Sequence, residues 1–540
     1  MPEVAALAGA RGGPMPDVPV LAGARGGSVA DVPVLGVPVP DVLDVLDVPM
    51  LAGERRRERG RAAGDAWWIG RARDDAEIAA YRRLRRRVFV EEQGLFDGSD
   101  LDERDEDPAT VVLVARAAGT GEVVGGVRLG PAHHGPDIGW WHGGRLAVAP
   151  HARGGRMDRP GGWTDGPGGR TGGLGVGGAG VGGGAGVGPA LIRAACAYAE
   201  AAGVLRFEAT VQARHRAAFV RLGWRPVRGE TVGRAPHVVM RYPIGRIAAL
   251  ADATKRPLGR LLAGLAPGGP GYTGDDGAPV PGTDVVAACD AILPSMVERD
   301  PEWAGWCSVL VNLNDLAAMG ADPLGLLDAL GARDAAAAAR VLAGLRRAAA
   351  AYDVPVLGGH TQLGVPAALS VTALGRADRP VPGGGGRPGH RVRLTADLAG
   401  GWRPGYSGRQ WDSTTHRRTP ALRAMLGAVA AARPAAAKDV SMAGVAGTLG
   451  MMAEASGCGA VLDVARLPRP PAAAMGDWLT CFPGFAMLTA DAPGASPLPA
   501  GPATGAECGE LTAARGVRLR WPDGELTEVL TGDVTGLGTA

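Results

Sequence analysis

The sequence predicts a multidomain protein of mixed α/β and α+β class behind a disordered N-terminal tail. Apolar strand-like runs alternate with amphipathic helical segments over residues 65–245 and again from 272 onward. Pro- and Gly-rich stretches at 267–271 and 380–388 divide these patterned regions. At 540 residues with 46% hydrophobic content, the chain is long enough for several cores.

Residues 1–64 repeat LAGARGG from Leu7 and from Leu21, with DVPV and DVLD units between them, and Pro and Gly recur too often for a helix or a packed strand. A disordered tail and an over-extended start with Met50 as the true origin both fit this pattern. In the first unit, 65–245, a basic amphipathic helix from Asp75 to Val90 leads into the acidic loop DGSDLDERDED. Strands VVLVARA at Val111 and VVGGVRLG at Val123 follow, joined by a turn at Gly119–Gly121, and then strand RLAVAP at Arg145. Between Gly161 and Gly188, 16 of 28 residues are Gly, so a mobile Gly-rich insertion is expected at 156–186. Helix PALIRAACAYAEAAG starts at Pro189, followed by strand VLRFEATVQ, helix RHRAAFVRLGW and strand HVVMRYPI. Residues 246–271 read as a helical linker. The second unit, 272–380, alternates strand and helix again. The third, 389–540, has strand RVRLTADL, a helix from Pro420, helix AGVAGTLGMMAEAS and strand GAVLDV.

A net charge of +2 with 21% charged residues gives no reason to expect a nucleic acid or an acidic membrane surface as partner. The six cysteines are scattered, with no CxxC and no His at metal-finger spacing, so reduced thiols are expected. No apolar run reaches the roughly 18 residues of a membrane helix. A soluble, cytoplasmic protein is the expectation.

Strand RLAVAP, followed by Arg and Gly residues and then a helix N-terminus, resembles the Gcn5-related N-acetyltransferase family; the segment RVFVEEQGL resembles that family's amine-side helix. The resemblance implies acetyl-CoA or another acyl-CoA as cosubstrate. It places the pantetheine arm along Leu146, Ala147 and Val148, and the pyrophosphate at Arg153, Gly154 and Gly155 or at Gly186, Val187 and Gly188. Family members commonly use a Glu base and a Tyr acid; here Phe219 stands where the hydroxyl is sought and cannot donate a proton. Glu208, Glu92, Asp102 and Glu103 remain candidate bases or amine binders.

The only two asparagines of the chain, Asn312 and Asn314, fall in the segment VNLNDLAAMGADP. Leu313, Leu316, Ala317 and Met319 have helical spacing, Asn314 and Asp315 sit beside that face, and Gly320 ends the helix. A carboxylate next to a carboxamide offers hard oxygen ligands of the kind Mg²⁺ takes when it also holds phosphates; a capping or core-polar pair is the alternative. YTGDDGA, ACDAI, VNLNDLAAMGADP, LGGHTQLG, VTALG and KDVSMAGVAGTLGMMAEASG occur in that order from Tyr272. Together they resemble the aminoimidazole ribonucleotide synthetase superfamily, which includes thiamine-monophosphate kinase and selenide water dikinase. The resemblance implies an ATP and Mg²⁺ site, with Asp275, Asp276, Asp290 and Asp315 as metal ligands. Asn314, Gly358, Gly359, Thr361, Lys438, Asp439 and Ser441 would contact ATP, and the N-terminal half would form a homodimer. His360 departs from the acidic residue usual after the Gly pair. Trp411, Asp412, Ser413 and Thr414 form a polar segment that fits either a substrate contact or a solvated loop.

The combination resembles fused proteins of bacterial nitrilase-associated gene clusters. It implies a bifunctional enzyme on a nitrogenous metabolite, an acyl-CoA-dependent N-acyltransferase joined to an ATP-dependent synthetase or kinase. Two alternatives stand beside it: an ATP-dependent enzyme carrying a non-catalytic acyltransferase-like module, and a non-catalytic dimeric scaffold.

Overall fold

The computed structural model describes residues 67–153, 186–265 and 267–540. The expected tail at 1–64, Gly154, Gly155 and all of the Gly-rich insertion except Gly186 lie outside the described residues.

The first region forms a seven-stranded sheet from β1 (Trp67–Arg71), β2 (Val111–Ala117), β3 (Val123–Pro131), β4 (Trp140–Val148), β5 (Arg206–Gln212), β6 (Arg225–Val232) and β7 (Ala235–Tyr242), in the order β1-β2-β3-β4-β5-β7-β6. All neighbours are antiparallel except β4 and β5. That parallel pair runs from Trp140 opposite Arg206 to Gly143 opposite Ala209 and goes no further, so the two strands fork. The fork begins beside a bulge. Arg145 has φ 56°, a left-handed conformation unusual for a residue with a side chain, and the β3–β4 register shifts at the same level. The buried Tyr81 hydroxyl holds the bulge by donating to the Arg145 carbonyl at 2.7 Å. Gly126 makes room for that ring, since a Cβ there would lie 2.5 Å from Tyr81 Cδ2.

The second region has β8 (Ala278–Pro279), β9 (Val285–Ile292), β10 (Asp322–Ala332), β11 (Val356–Leu363) and β12 (Ala368–Arg376), in the order β11-β10-β12-β9-β8. Helices Pro301–Ala318 and Ala335–Tyr352 pack against one another with glycine at both points of closest approach. A Cβ on Gly305 would lie 2.0 Å from the Val341 carbonyl oxygen, and one on Gly344 1.9 Å from that of Glu302. Asp300 caps the first helix by accepting from Trp303 N–H, and Gly320, at φ 66°, ends it. Leu327, Val356, Leu357 and Leu363 of this sheet are exposed.

In the third region, seven strands lie in the order Ala436–Asp439, Ala486–Asp491, Arg391–Ala396, Thr504–Thr512, Gly459–Asp463, Gly516–Arg520, Leu526–Leu530. Helix Gly444–Ala455 is buried along its whole length. A small sheet joins Gly401–Trp402, Gln410–Asp412 and Phe482–Pro483. Trp411, Asp412, Ser413 and Thr414 are therefore buried rather than on a solvated loop.

The regions share interiors. Met425, Phe485 and Met487 of the third belong to the apolar core around helix Pro301–Ala318. Ile138 and Leu205 of the first join Val392, Leu462 and Trp478 of the third. So do Ile247 and Ala251 of helix Arg246–Thr254, which puts part of the segment read as a linker inside a core. Beside it the fully buried Arg206 guanidinium lies 4.0 Å from the Trp140 ring centre and 5.6 Å from that of Trp521, and it pairs with Glu208, Asp523 and Glu525.

Candidate active site

Helix Pro301–Ala318 carries Asn312, Asn314 and Asp315 into the interior, each less than a tenth exposed. Asn312 Oδ1 accepts from the Asp290 backbone N–H at 3.0 Å while its Nδ2 donates to the Ser308 carbonyl at 2.8 Å. This pins β9 to the helix at the level of Asp290. Asn314 Nδ2 donates to the Gly484 carbonyl at 3.1 Å, which ties the helix to the third region.

Two further carboxylates converge on Asp315. Asp276 comes from the turn before β8 and Asp439 from the end of strand Ala436–Asp439, and one oxygen of each lies within 4.8 Å of the others. Asp276 Oδ1 is 2.6 Å from Lys438 Nζ, which also donates to the Gly274 carbonyl at 3.1 Å, and Asp276 Oδ2 accepts from the Asp439 backbone N–H at 2.9 Å. Asp275 Oδ2 accepts from Gly383 N–H at 2.9 Å, while its buried Oδ1 has no partner among the described residues.

The electrostatics follow from burial. Desolvation, and then the charges of Asp439, Asp290 and Asp276, push the Asp315 carboxyl well above the usual carboxylate range. Desolvation and Asp276 do the same to Asp439. Burial raises Asp290, and it raises Asp275 to about 6 against the pull of Lys438 and Gly383 N–H. Burial opposes the Lys438 charge, yet Asp276 and Asp275 outweigh it and raise its pKa. Lys438 within the cluster and Lys255 acting on Asp290 and Asp439 leave five aspartates with an excess of negative charge, which a divalent cation would offset. An all-oxygen donor set drawn from separate elements suits Mg²⁺, and Asp276, Asp315 and Asp439 would hold it.

Of the residues expected at this site, the structure brings together Asp275, Asp276, Asp315, Lys438 and Asp439, with Asp290 acting on them electrostatically. Asp439, expected at phosphate, lies among the metal-type carboxylates. Ser441 follows it, half-buried. Asn314 is committed to Gly484. Gly358, Gly359 and Thr361 are not brought in: they lie with His360 on the exposed edge strand β11, separated from β9 by β10 and β12. At about 4.8 Å per strand the gap is roughly 14 Å. Sequence reasoning missed Gly383, whose stretch looked like a spacer. A Cβ on Gly385 would lie 1.9 Å from the Ala435 carbonyl oxygen, so that stretch is packed against the strand that carries Lys438.

At the β4–β5 fork lies a cavity of about 1060 Å³, lined by Leu146, Val148, Arg153, Gly188 and His142 among others. Ala147 is buried away from it, Val187 is in the core, and Gly186 stands just ahead of the helix as its N-cap. Arg153 donates to the Val148 carbonyl at 3.0 Å and forms an ion pair with Glu92, whose carboxyl it holds below the usual range. Phe219 packs edge-on against Trp224. Glu208 is excluded as a base: it is 3% exposed and outside the cavity lining, with its oxygens engaged by Arg206, Arg241 and Trp140 Nε1. Asp102 lines the cavity and accepts from Arg128 and Arg145, while Glu103 is exposed beside His134. His142 had no signal in the sequence pattern. Its Nε2 accepts from Thr210 N–H at 3.2 Å, and burial followed by Arg104, Arg128 and Arg145 lowers its pKa to about 3, which keeps the ring neutral.

Residues 274–377 match the model of the AIR synthase related protein N-terminal domain, and 391–517 that of the C-terminal domain. An uncharacterized protein of Synechocystis sp. is 37% identical over 223 residues, 40% of this chain and 69% of that protein. The thiamine-monophosphate kinase of Caulobacter vibrioides is 31% identical over 238 residues, 40% of this chain and 67% of that protein. The crystal structure of thiamine monophosphate kinase from Aquifex aeolicus covers 47% of this chain and 92% of its own at 20% identity, with a TM-score of 0.37. Among the described residues no helix is long and apolar enough to cross a membrane. Through its second and third regions, the chain belongs to the AIR synthase related protein family.

Proposed function

We propose that this chain is an ATP-dependent enzyme that transfers or activates a phosphoryl group on a small nitrogenous metabolite. The observation that carries this is the convergence of Asp276, Asp315 and Asp439 beside Lys438. Mg²⁺ bound there would neutralise the phosphates of ATP during transfer. Lys438 stays protonated between Asp276 and Asp275 and supplies a fixed positive charge next to the phosphate position. Lys438 and the Asp439 backbone N–H hold the two oxygens of Asp276, while Asn312 and the Gly383 amide fix the neighbouring Asp290 strand and Asp275, so this side of the cluster is in place before nucleotide arrives. The name of the Caulobacter relative supports a small-molecule acceptor for this chain as well. The test is Mg²⁺-dependent ADP release from ATP, followed with and without candidate amides, carboxylates and alcohols. Absence of Mg²⁺-dependent nucleotide binding in the wild type would favour the scaffold reading instead.

The strand fork favours a second reading for the first region, as the site of an acyl-CoA donor. Among the described residues no strand pairs with β4 on its β5 side from Gly144 onward, and Gly188 in the first turn of helix Val187–Ala201 lines the same space. Heat on titrating acetyl-CoA into the protein tests it; no heat leaves the first region as a binding module for another ligand. A homodimer through the exposed face of the second sheet completes the proposal, supported by Leu327, Val356, Leu357 and Leu363, and light scattering gives the mass.

A further inference from the structure

Along one side of the cavity at the strand fork, Asp102, Arg128 and Arg145 belong to an ion-pair lattice formed with the acidic loop, and Arg104 of that loop stands outside it. Arg85 is held by Asp100 and Asp105, Arg128 by Asp102 and Asp105, and Arg145 by Asp102 and Asp100. Three guanidinium groups thus face three carboxylates. Arg104, from the same loop, lines the cavity and makes no ion pair among the described residues; its hydrogen bond goes to the neutral Ala132 carbonyl at 3.1 Å. It is half-buried, and burial works against its charge, but a guanidinium does not give up its proton in a protein. Arg104 lines the cavity with donors left over, and although Asp102, Glu103 and Asp107 act on its charge from the same loop, a guanidinium with free donors can give an anion a charge-assisted, bidentate bond.

Its position within the cavity is set by three neighbours. Thr110, also a lining residue, donates its hydroxyl to the Arg104 carbonyl at 2.7 Å and holds the loop. His142, on β4 where β4 and β5 part, lines the same cavity as Arg104. The left-handed backbone of Arg145 lies on the same wall, and conformational strain of this kind concentrates at ligand sites.

We infer that the first-region cavity takes a small molecule bearing an anionic group, docked on Arg104, and that as an acyl acceptor it is an amino-carboxylate. The amine part of this inference rests on the acyl-CoA reading given above, whereas the anion part does not. In the acyl step the ammonium first loses one proton to solvent. The amine nitrogen then attacks the thioester carbonyl carbon, the carbon–sulfur bond breaks, and the second nitrogen proton ends on the departing thiolate. An amide and free CoA thiol are the products.

The experiment uses the full chain and three measurements. Calorimetry with acetyl-CoA alone tests the donor reading by itself. Thiol release from acetyl-CoA is then followed against the twenty proteinogenic amino acids, β-alanine and γ-aminobutyrate, each beside its decarboxylated amine. Thermal shift with the same compounds, without acetyl-CoA, reads the anion subsite whether or not acyl transfer occurs. At least one amino-carboxylate should exceed its matched amine in kcat/KM, or in thermal shift if no donor binds. Arg104→Gln should reduce that preference by about ten- to a hundredfold, through KM, and Arg104→Lys should recover part of it. An unchanged circular-dichroism spectrum and ligand-free melting temperature show that each variant is folded. The inference is overturned if carboxylates and amines behave alike, if Arg104→Gln leaves the preference intact, or if no compound gives either signal. No heat from acetyl-CoA together with a carboxylate-dependent thermal shift would sink the donor reading and leave the anion subsite standing.

Discussion

Replacing Asp315 by Asn should make the metal-free protein more stable while removing its response to Mg²⁺. The side chain keeps its shape and loses one charge from a buried cluster whose oxygens lie within 4.8 Å of each other. At an effective dielectric constant near 20, two unit charges at that distance repel by about 3.5 kcal/mol. Asp315 faces Asp276 and Asp439 in this way, while Lys438 offsets part of the repulsion. A net gain of about 2 kcal/mol, or roughly 4–8 °C in Tm, follows for a unit of this size. The sign with pH is fixed by the raised pKa values of Asp315 and Asp439. The folded state holds these protons more tightly than the unfolded chain, so wild-type stability falls as pH rises from the ordinary carboxylate range through the raised values. The advantage of Asp315→Asn should therefore be largest above the raised values and vanish at about pH 2, where both carboxyls are protonated in either state. Differential scanning calorimetry at several pH values, with chelator and over a titration of Mg²⁺, measures both effects; a ligand that binds only the folded state stabilises it in proportion to the logarithm of its concentration over Kd, so binding to the wild type should register as a rise in Tm. A variant less stable than wild type in chelator, or one still stabilised by Mg²⁺, would refute the reasoning.

Glu208→Gln should cost about 3 kcal/mol, because it strips a buried charge from Arg206 and Arg241. It should leave acetyl-CoA affinity unchanged; a large loss of affinity in a folded variant would return Glu208 to the site. Gly305→Ala should lower the urea midpoint by the equivalent of about 3 kcal/mol, since the new methyl meets the Val341 carbonyl and the two helices must part. Leu357→Asp, on a side chain 56% exposed in the edge strand, should turn the proposed dimer into a monomer by light scattering without disturbing the core.

The carboxylate site was legible because its residues escape the composition of the chain. Asn312, Asn314 and Lys438 are rare types placed at positions where chemistry outweighed bias. Helix Pro301–Ala318 was legible because its apolar spacing and the terminal Gly320 agree. What failed to show was anything decided across long sequence separation. Glu208 looked like a free acid on a strand until Trp140 and Arg241 arrived beside it, and the stretch around Gly383 looked like a spacer because glycine that permits close packing reads like glycine that permits motion. Gly358, Gly359 and Thr361 entered as site residues by resemblance, and the strand order moved them to a sheet edge. The polar segment Trp411–Thr414 reads as loop-like, yet it is buried because the short pairing of Gln410–Asp412 with Gly401–Trp402 and Phe482–Pro483 satisfies its backbone.

The guanidinium of Arg206, set over the Trp140 indole beside Trp521 and paired with acids on both sides of the seam, has a consequence for how the chain can be divided. A protease that cuts between residues 255 and 271 would sever the covalent connection and leave this plug, and the shared apolar core around Ile138, Leu205 and Trp478, in place. The nicked fragments should therefore elute as one particle on gel filtration. The first region produced alone would present Trp140 and a charged arginine to water with no acids from Asp523 and Glu525 to meet it. A gene split at this point would give two polypeptides that need each other to stay soluble.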